Sequence, residues 1–325
     1  MPVSLALFAA LAAASAPTPR LSLPIACAIG RDCEIQNYVD RDPGPGSRDY
    51  RCSSRTYDGH SGLDIRLLDM IAQKAGVAVL AAADGKVLRV RDGIVDRSVR
   101  ELGAASVKGQ ECGNGLVIGH PGGLSTQYCH MAQGSLAVKP GDLVKAGTRL
   151  GLVGLSGNTE YPHLHMTVRQ GDTVIDPFAP EAGTDAGVCG AGDDLWRPQA
   201  RSALAYKAGA VLNVGFAQGP VDMAAVEAGR IAAPTAGSSA LVAYVRAIGL
   251  QAGDRQSLTL TAPNGAVLAE TGGEPLARDQ AQRLLYVGKP RPPTGWPSGN
   301  YNAAYRIVRA GKVLLERRWG LKLQP

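Results

Sequence analysis

Between Tyr161 and Gln170 the sequence reads YPHLHMTVRQ, and the HLH inside it limits the possible folds more than any other feature. The stretch alternates as a β-strand does, and side chains two residues apart on a strand share a face. His163 and His165 therefore lean toward one place, an uncommon arrangement unless something is bound there. All five histidines, His60, His120, His130, His163 and His165, fall within residues 60–165, and the C-terminal half has none. A site made from that span needs strands distant in sequence to lie side by side.

His60 and Asp64 stand in GHSGLDI in an H-x-x-x-D spacing. On a straight strand, residues four apart are separated by about 13 Å. A shared metal has ligand bonds of about 2 Å, so the segment must bend, and Gly62 permits it. A helix would also bring the two together, but Gly62 and the following Ile65-Arg66-Leu67 favour a loop running into a strand. His60, Asp64 and one histidine of the pair offer N, N and O donors, with a fourth position left for water, which is what a catalytic zinc needs.

The 325 residues are 45% hydrophobic and 19% charged, enough for two domain cores. Gly (41) and Pro (21) are frequent and Phe (3) is scarce, so short strands joined by turns are expected and the class is mainly β. The net charge of +6 favours anionic surfaces, but arginines are spread along the chain and give no nucleic-acid patch. No nucleic-acid partner is expected. Residues 1–16 contain an apolar run ending in Ala14-Ser15-Ala16 that reads as a signal peptide, though without a basic start. The run is shorter than the about 20 residues a span needs, so the mature chain is expected to be exported, to the periplasm or beyond, with no membrane span. Six cysteines without a C-x-x-C pair agree, since disulfides suit an oxidising compartment. CGNGLVIGH and GGLSTQYC fold back at Pro121-Gly122-Gly123, bringing Cys112 near Cys129. Cys27, Cys33, Cys52 and Cys189 allow three pairings that remain open.

GHSGLDI, VLAAADGKVLRV, NGLVIGHPGGLSTQYCHM, VKPGDLVKAGTRLGLVGLSGN and HLHMTV, in that order, resemble the lysostaphin-type or LytM-type zinc metallopeptidases, which cut peptidoglycan. The resemblance implies one zinc per chain, held by His60, Asp64 and His165. It makes His130 and His163 the catalytic histidines that do not bind metal, with their division of labour open. It also implies peptidoglycan as the partner. Zinc brings the pKa of bound water to about 7, and an imidazole can carry the proton to a departing amine. The pattern departs at Met166 and Thr167, where an aromatic residue and Glu are common in the family, and at Tyr161, where a small residue is common. In the family these positions line or support the groove, so they bear on substrate preference. His120 is expected to be structural, Tyr57 and Asn37 to pack, and Cys129 to point away from His130.

Five segments are expected: a signal peptide (1–16), a disulfide-held irregular lead-in (17–56), a compact antiparallel LytM-type β-sheet domain (57–180), a linker (181–195) and a C-terminal immunoglobulin-like β-sandwich (196–325). In the last, SLTLTAPNGAVLAE and YNAAYRIVRAGKVLLERRWGL each read as strand, turn and strand. The resulting expectation is a monomeric, exported zinc endopeptidase that cuts D-alanine to diaminopimelate cross-links in preference to glycyl-glycine. The alternative is a non-enzymatic LytM-type regulator that activates a separate wall hydrolase.

Overall fold

A computed structural model describes residues 17–180, 189–190 and 193–324. The signal-peptide reading and most of the linker reading lie outside the described residues. Ten strands form the first part: β1 (Cys33–Asn37), β2 (Leu63–Leu67), β3 (Ala78–Leu80), β4 (Gly85–Arg91), β5 (Asn114–Gly119), β6 (Leu124–Met131), β7 (Leu143–Val144), β8 (Arg149–Leu152), β9 (His163–Gln170) and β10 (Thr173–Ile175). Two short helices, α1 (Met70–Ala75) and α2 (Val99–Leu102), lie in its connections. The main antiparallel sheet has the order β1-β2-β9-β6-β5-β4-β7, with β10 beside β9, and β3 pairs with β8 separately.

Alternation sorts the sheet's side chains. Leu63, Ile65 and Leu67 of β2 and Leu164, Met166 and Val168 of β9 are wholly buried in one apolar core. Asp64, Arg66, His163, His165 and Thr167 take the opposite face. Met166 is therefore a core residue and does not line a groove, which corrects the reading of it as a determinant of substrate preference.

The segment before β2 is more regular than its composition suggests. β1 is an edge strand paired with β2, and Leu21, Ile25 and Tyr38 lie in the main core. Trp196, Leu204 and Tyr206 pack against the same core, and Tyr206 stacks on Tyr38 with ring centroids 5.2 Å apart. All six cysteines are paired, as Cys27–Cys33, Cys52–Cys189 and Cys112–Cys129.

After helix α3 (Pro198–Ala203) come β11 (Ala210–Ala217), helix α4 (Met223–Glu227), β12 (Ala240–Leu250), β13 (Arg255–Thr261), β14 (Val267–Pro275), β15 (Gln280–Pro290), β16 (Gly299–Arg309) and β17 (Lys312–Leu323). They form two antiparallel sheets, β11-β12-β15 and β14-β13-β16-β17, whose residues share a second core including Leu241, Val245, Leu258, Leu260, Tyr301 and Tyr305. The β16–β17 hairpin turns at Ala310 (φ 47°) and Gly311 (φ 77°), the left-handed pair that a tight hairpin requires.

Charged side chains join the two parts. Arg66 and Arg246, both with wholly buried side chains, pair with the same Glu227 carboxylate at the end of α4. Arg246 is pushed down to about 10 by burial and then by the neighbouring Arg66, with Glu227 opposing. Glu34 pairs with Lys207 at 2.9 Å, and Gln251 donates to Ser53 at 2.7 Å. Replacing Glu227 by Gln would leave two neighbouring buried guanidiniums without the carboxylate they share. A loss of about 3 kcal/mol in unfolding free energy is expected, measured by denaturant titration.

Asp176, which follows β10, is buried, and its Oδ2 has no hydrogen-bond partner among the described residues. Burial raises its pKa to about 7, only partly offset by the Phe178 N–H and by Arg41. An unfolded Asp titrates near pH 3.9, so the folded chain keeps a proton that the unfolded chain has released. The stability contributed by this raised pKa is complete below pH 4 and is lost as pH climbs to 7. Asp176→Asn keeps the acceptor for Phe178. It should therefore be more stable than wild type at pH 7.5 by ~2 kcal/mol, with the gain shrinking toward pH 4 in thermal melts.

Candidate metal centre and active site

The pairing of β2 with β9 places Asp64 opposite His165 and Arg66 opposite His163. Residues directly opposite in an antiparallel pair present their side chains to one face, so the register itself puts carboxylate and imidazole together. His60 enters from the loop before β2. Its Nε2 lies 3.1 Å from Asp64 Oδ2 and 3.3 Å from His165 Nδ1, and His165 Nδ1 lies 2.8 Å from Asp64 Oδ1. Donor atoms around a tetrahedral ion with bonds of about 2 Å are about 3.3 Å apart. The three groups thus have the spacing and the N, N, O chemistry to hold zinc, and they are the group among the described residues that gathers such donors. Gly62 is required there, because a Cβ on it would lie 2.6 Å from His165 Nε2.

Hydrogen bonds turn each ring. His60 Nδ1–H donates to the Tyr38 carbonyl at 2.7 Å, which leaves the Nε2 lone pair toward Asp64. His165 uses the other nitrogen: its Nε2 rests against Thr167 Oγ1 at 3.0 Å while Nδ1 faces the cluster. Asn37, opposite Asp64 in the β1–β2 register, donates its amide to Asp64 Oδ2 at 2.8 Å. It orients the carboxylate rather than merely packing. Burial would push the Asp64 carboxyl up, but the imidazoles of His60 and His163 and the hydrogen bonds from His165 and His60 outweigh it and hold it well below the usual range. For His60, burial opposes protonation, yet Asp64 and the Tyr38 carbonyl raise its pKa overall.

His130 and His163 stand beside this cluster, with ring centroids 4.6 Å apart. His163 Nδ1–H donates to the Tyr161 carbonyl at 3.0 Å, with Thr159 Oγ1 equally close, and its Nε2 approaches Asp64 Oδ1 at 3.5 Å. His130 Nδ1–H donates to the Ser156 carbonyl at 2.8 Å. Leu124, Thr126 and Tyr128 are buried, so alternation along β6 would send His130 to the core side. A left-handed backbone at His130 (φ 60°), uncommon outside glycine, turns the ring into the cleft instead. Burial holds both imidazoles below their ordinary pKa; His163 and His165 add to this at His130, whereas Asp64 partly offsets it at His163. Both are thus neutral rings with an Nε2 lone pair available as a base.

The remaining sequence readings divide. His120 is structural, bonded to the Asp84 carbonyl and to Thr126 Oγ1, each at 2.8 Å. Cys129 is oxidised, so no thiol nucleophile adjoins His130. Tyr57 lines the cleft with its ring 4.6 Å from that of His60. Tyr161 also lines it and lies under the Arg66 guanidinium, 3.8 Å from the ring centre. The supporting acceptors were not foreseen. Tyr38 and Ser156 act through backbone carbonyls, which carry no residue signature, and the hydroxyl of Thr167 at i+2 from His165 was the one available hint.

Residues 58–177 match the model of peptidase family M23. Over 117 residues the chain is 32% identical to the peptidoglycan DD-endopeptidase ShyB of Vibrio cholerae, covering 36% of this chain and 22% of that protein. Over 121 residues it is 31% identical to the cell division protein DipM of Caulobacter vibrioides, covering 37% and 16% respectively. The chain thus spans about a fifth of the length of these relatives. A crystal structure of a zinc-containing peptidase from Vibrio cholerae is similar at 26% identity and a TM-score of 0.28, covering 43% of this chain and 39% of that one.

If Thr167 orients His165, Thr167→Val should weaken zinc binding about tenfold without unfolding the protein, whereas Thr167→Ser should retain it. A competition titration with a chromogenic chelator reads the difference.

Proposed function

We propose that this chain, which carries a domain of peptidase family M23 over residues 58–177, is an exported zinc-dependent endopeptidase that hydrolyses peptide cross-links of peptidoglycan. The observation that carries this reading is the complete donor set of His60, Asp64 and His165 beside two buried imidazoles with Nε2 lone pairs available. A regulator that only activates another hydrolase would have no need of that set. In this reading the peptidase domain covers residues 57–180, and the C-terminal two-sheet unit is a β-sandwich beginning at β11, since Trp196 and Tyr206 pack on the first core.

His60 through Nε2, His165 through Nδ1 and Asp64 through its carboxylate would hold the zinc. When bound, zinc supplies Lewis acidity, making a water acidic enough to ionise near pH 7 and polarising the scissile carbonyl. The protein's own residues do the rest. One of the two neutral rings, His130 or His163, accepts the proton of the attacking water at Nε2 and passes it to the departing amine. The other, also neutral, accepts a hydrogen bond from the same water at Nε2 and so orients it for attack. The carbonyls of Ser156 and Tyr161 hold each Nδ1–H, so both Nε2 atoms, free to accept a proton, face the cleft.

The D-alanine to diaminopimelate bond is the favoured substrate, supported by the likeness of residues in the peptidase domain to a DD-endopeptidase. The net charge of +6 helps retain the enzyme near an anionic wall. Cross-linked muropeptide dimers incubated with zinc-loaded protein should become monomers, as read by mass spectrometry. His163→Ala should keep zinc and lose turnover by at least a hundredfold, whereas Asp64→Ala should lose zinc. Cleavage of pentaglycine with the dimers intact would reassign the substrate. Binding without cleavage of either would favour the regulator.

A further inference from the structure

The cleft over the histidine cluster extends past the catalytic sheet. Gln280, Ala281 and Gln282, at the start of β15 in the C-terminal unit, line it together with Gln36, Asn37 and Asn158. These contacts are specific. Gln36 Nε2 donates to the Ala281 carbonyl at 3.1 Å, and Arg66 Nη1 donates to Gln282 Oε1 at 3.0 Å. Arg66 is itself fixed by Glu227 and lies over Tyr161, whose ring is 5.1 Å from that of His163. With its oxygen held by Arg66, Gln282 has an amide N–H pair that no described residue accepts from.

A second depression opens from the same residues, since Arg100, Glu160, Tyr161 and Gln282 border both. Its far side is Met223, Ala224 and Ala228 on and after α4. One groove thus runs from the imidazoles, past Tyr161, to the junction of the two parts, with a wall from each. The near end mixes charged groups such as Arg66 and Glu160 with carboxamides, of which Gln282 keeps N–H groups to offer the C=O of an extended peptide.

We propose that the C-terminal unit is a fixed wall of the substrate cleft, and that the groove between Tyr161 and α4 receives one peptide arm of the cross-linked substrate, with Gln282 donating to its backbone. This rests on the peptidase reading for the identity of the peptide, but the wall itself can be tested by binding. Ala281 is exposed, so Ala281→Trp adds bulk in the cleft without disturbing a core. Val267→Trp, at a position 57% exposed on β14 and outside the groove, is the control.

Three zinc-loaded, full-chain variants, Ala281→Trp, Gln282→Ala and Val267→Trp, are compared with wild type on a muropeptide dimer and on a blocked dipeptide containing only the scissile bond. Calorimetry also measures binding of an uncross-linked stem tetrapeptide. The cleft variants should lose at least tenfold in kcat/KM on the dimer, mainly through KM, with dipeptide turnover and zinc content unchanged, and Ala281→Trp should also keep the wild-type Tm. Val267→Trp should match wild type. Equal losses on both substrates, or no loss on either, would overturn the wall. Should wild type cleave neither substrate, the peptidase reading fails and binding decides. Tetrapeptide affinity weakened tenfold by Ala281→Trp then keeps the wall, and equal or absent binding removes it.

Discussion

The antiparallel register between β2 and β9 is the constraint on which the site depends. It sets Asp64 against His165 and Arg66 against His163, while Leu63, Ile65, Leu164 and Met166 take the other face. A slip of one residue would exchange the two faces, burying the carboxylate and imidazoles and exposing the apolar set. Core packing and site geometry therefore enforce the same alignment. Whatever stabilises the apolar side also keeps the donor atoms in place.

On the polar side, orientation comes from acceptors that cannot titrate. His60, His130 and His163 each give their Nδ1 proton to a backbone carbonyl, of Tyr38, Ser156 and Tyr161 respectively. A carbonyl only accepts, so each ring is confined to one tautomer when neutral, with Nε2 turned to the cleft. His165 is the exception, leaning on the Thr167 hydroxyl. A hydroxyl can give or take a proton, so this ring is the least constrained of the four.

Much of this was legible in the sequence. The HLH alternation, the bend at Gly62 and the Cys112–Cys129 hairpin follow from strand periodicity and turn chemistry. His130 did not, because alternation along β6 directs it to the core and only a left-handed backbone at a non-glycine residue overrides that. Strand β1 inside the disulfide-held lead-in was not legible for a different reason. CEIQN is short and mixed in polarity, and it becomes strand β1 only because β2 offers an open edge. The contribution of β15 to the cleft depends on packing between segments more than 100 residues apart, for which no local pattern exists. Met166 was misread because its face, rather than its proximity to His165, decides what it touches.

The Cys52–Cys189 bond closes a covalent ring of chain around β2 to β10. Any single cut by a foreign protease within residues 53–188 opens that ring without releasing a fragment, because both pieces stay attached through sulfur. Only two cuts in the ring could remove a strand. The exposed loops of the main sheet are therefore covalently insured against a first nick, and the donor cluster outlasts it for as long as the surrounding medium stays oxidising.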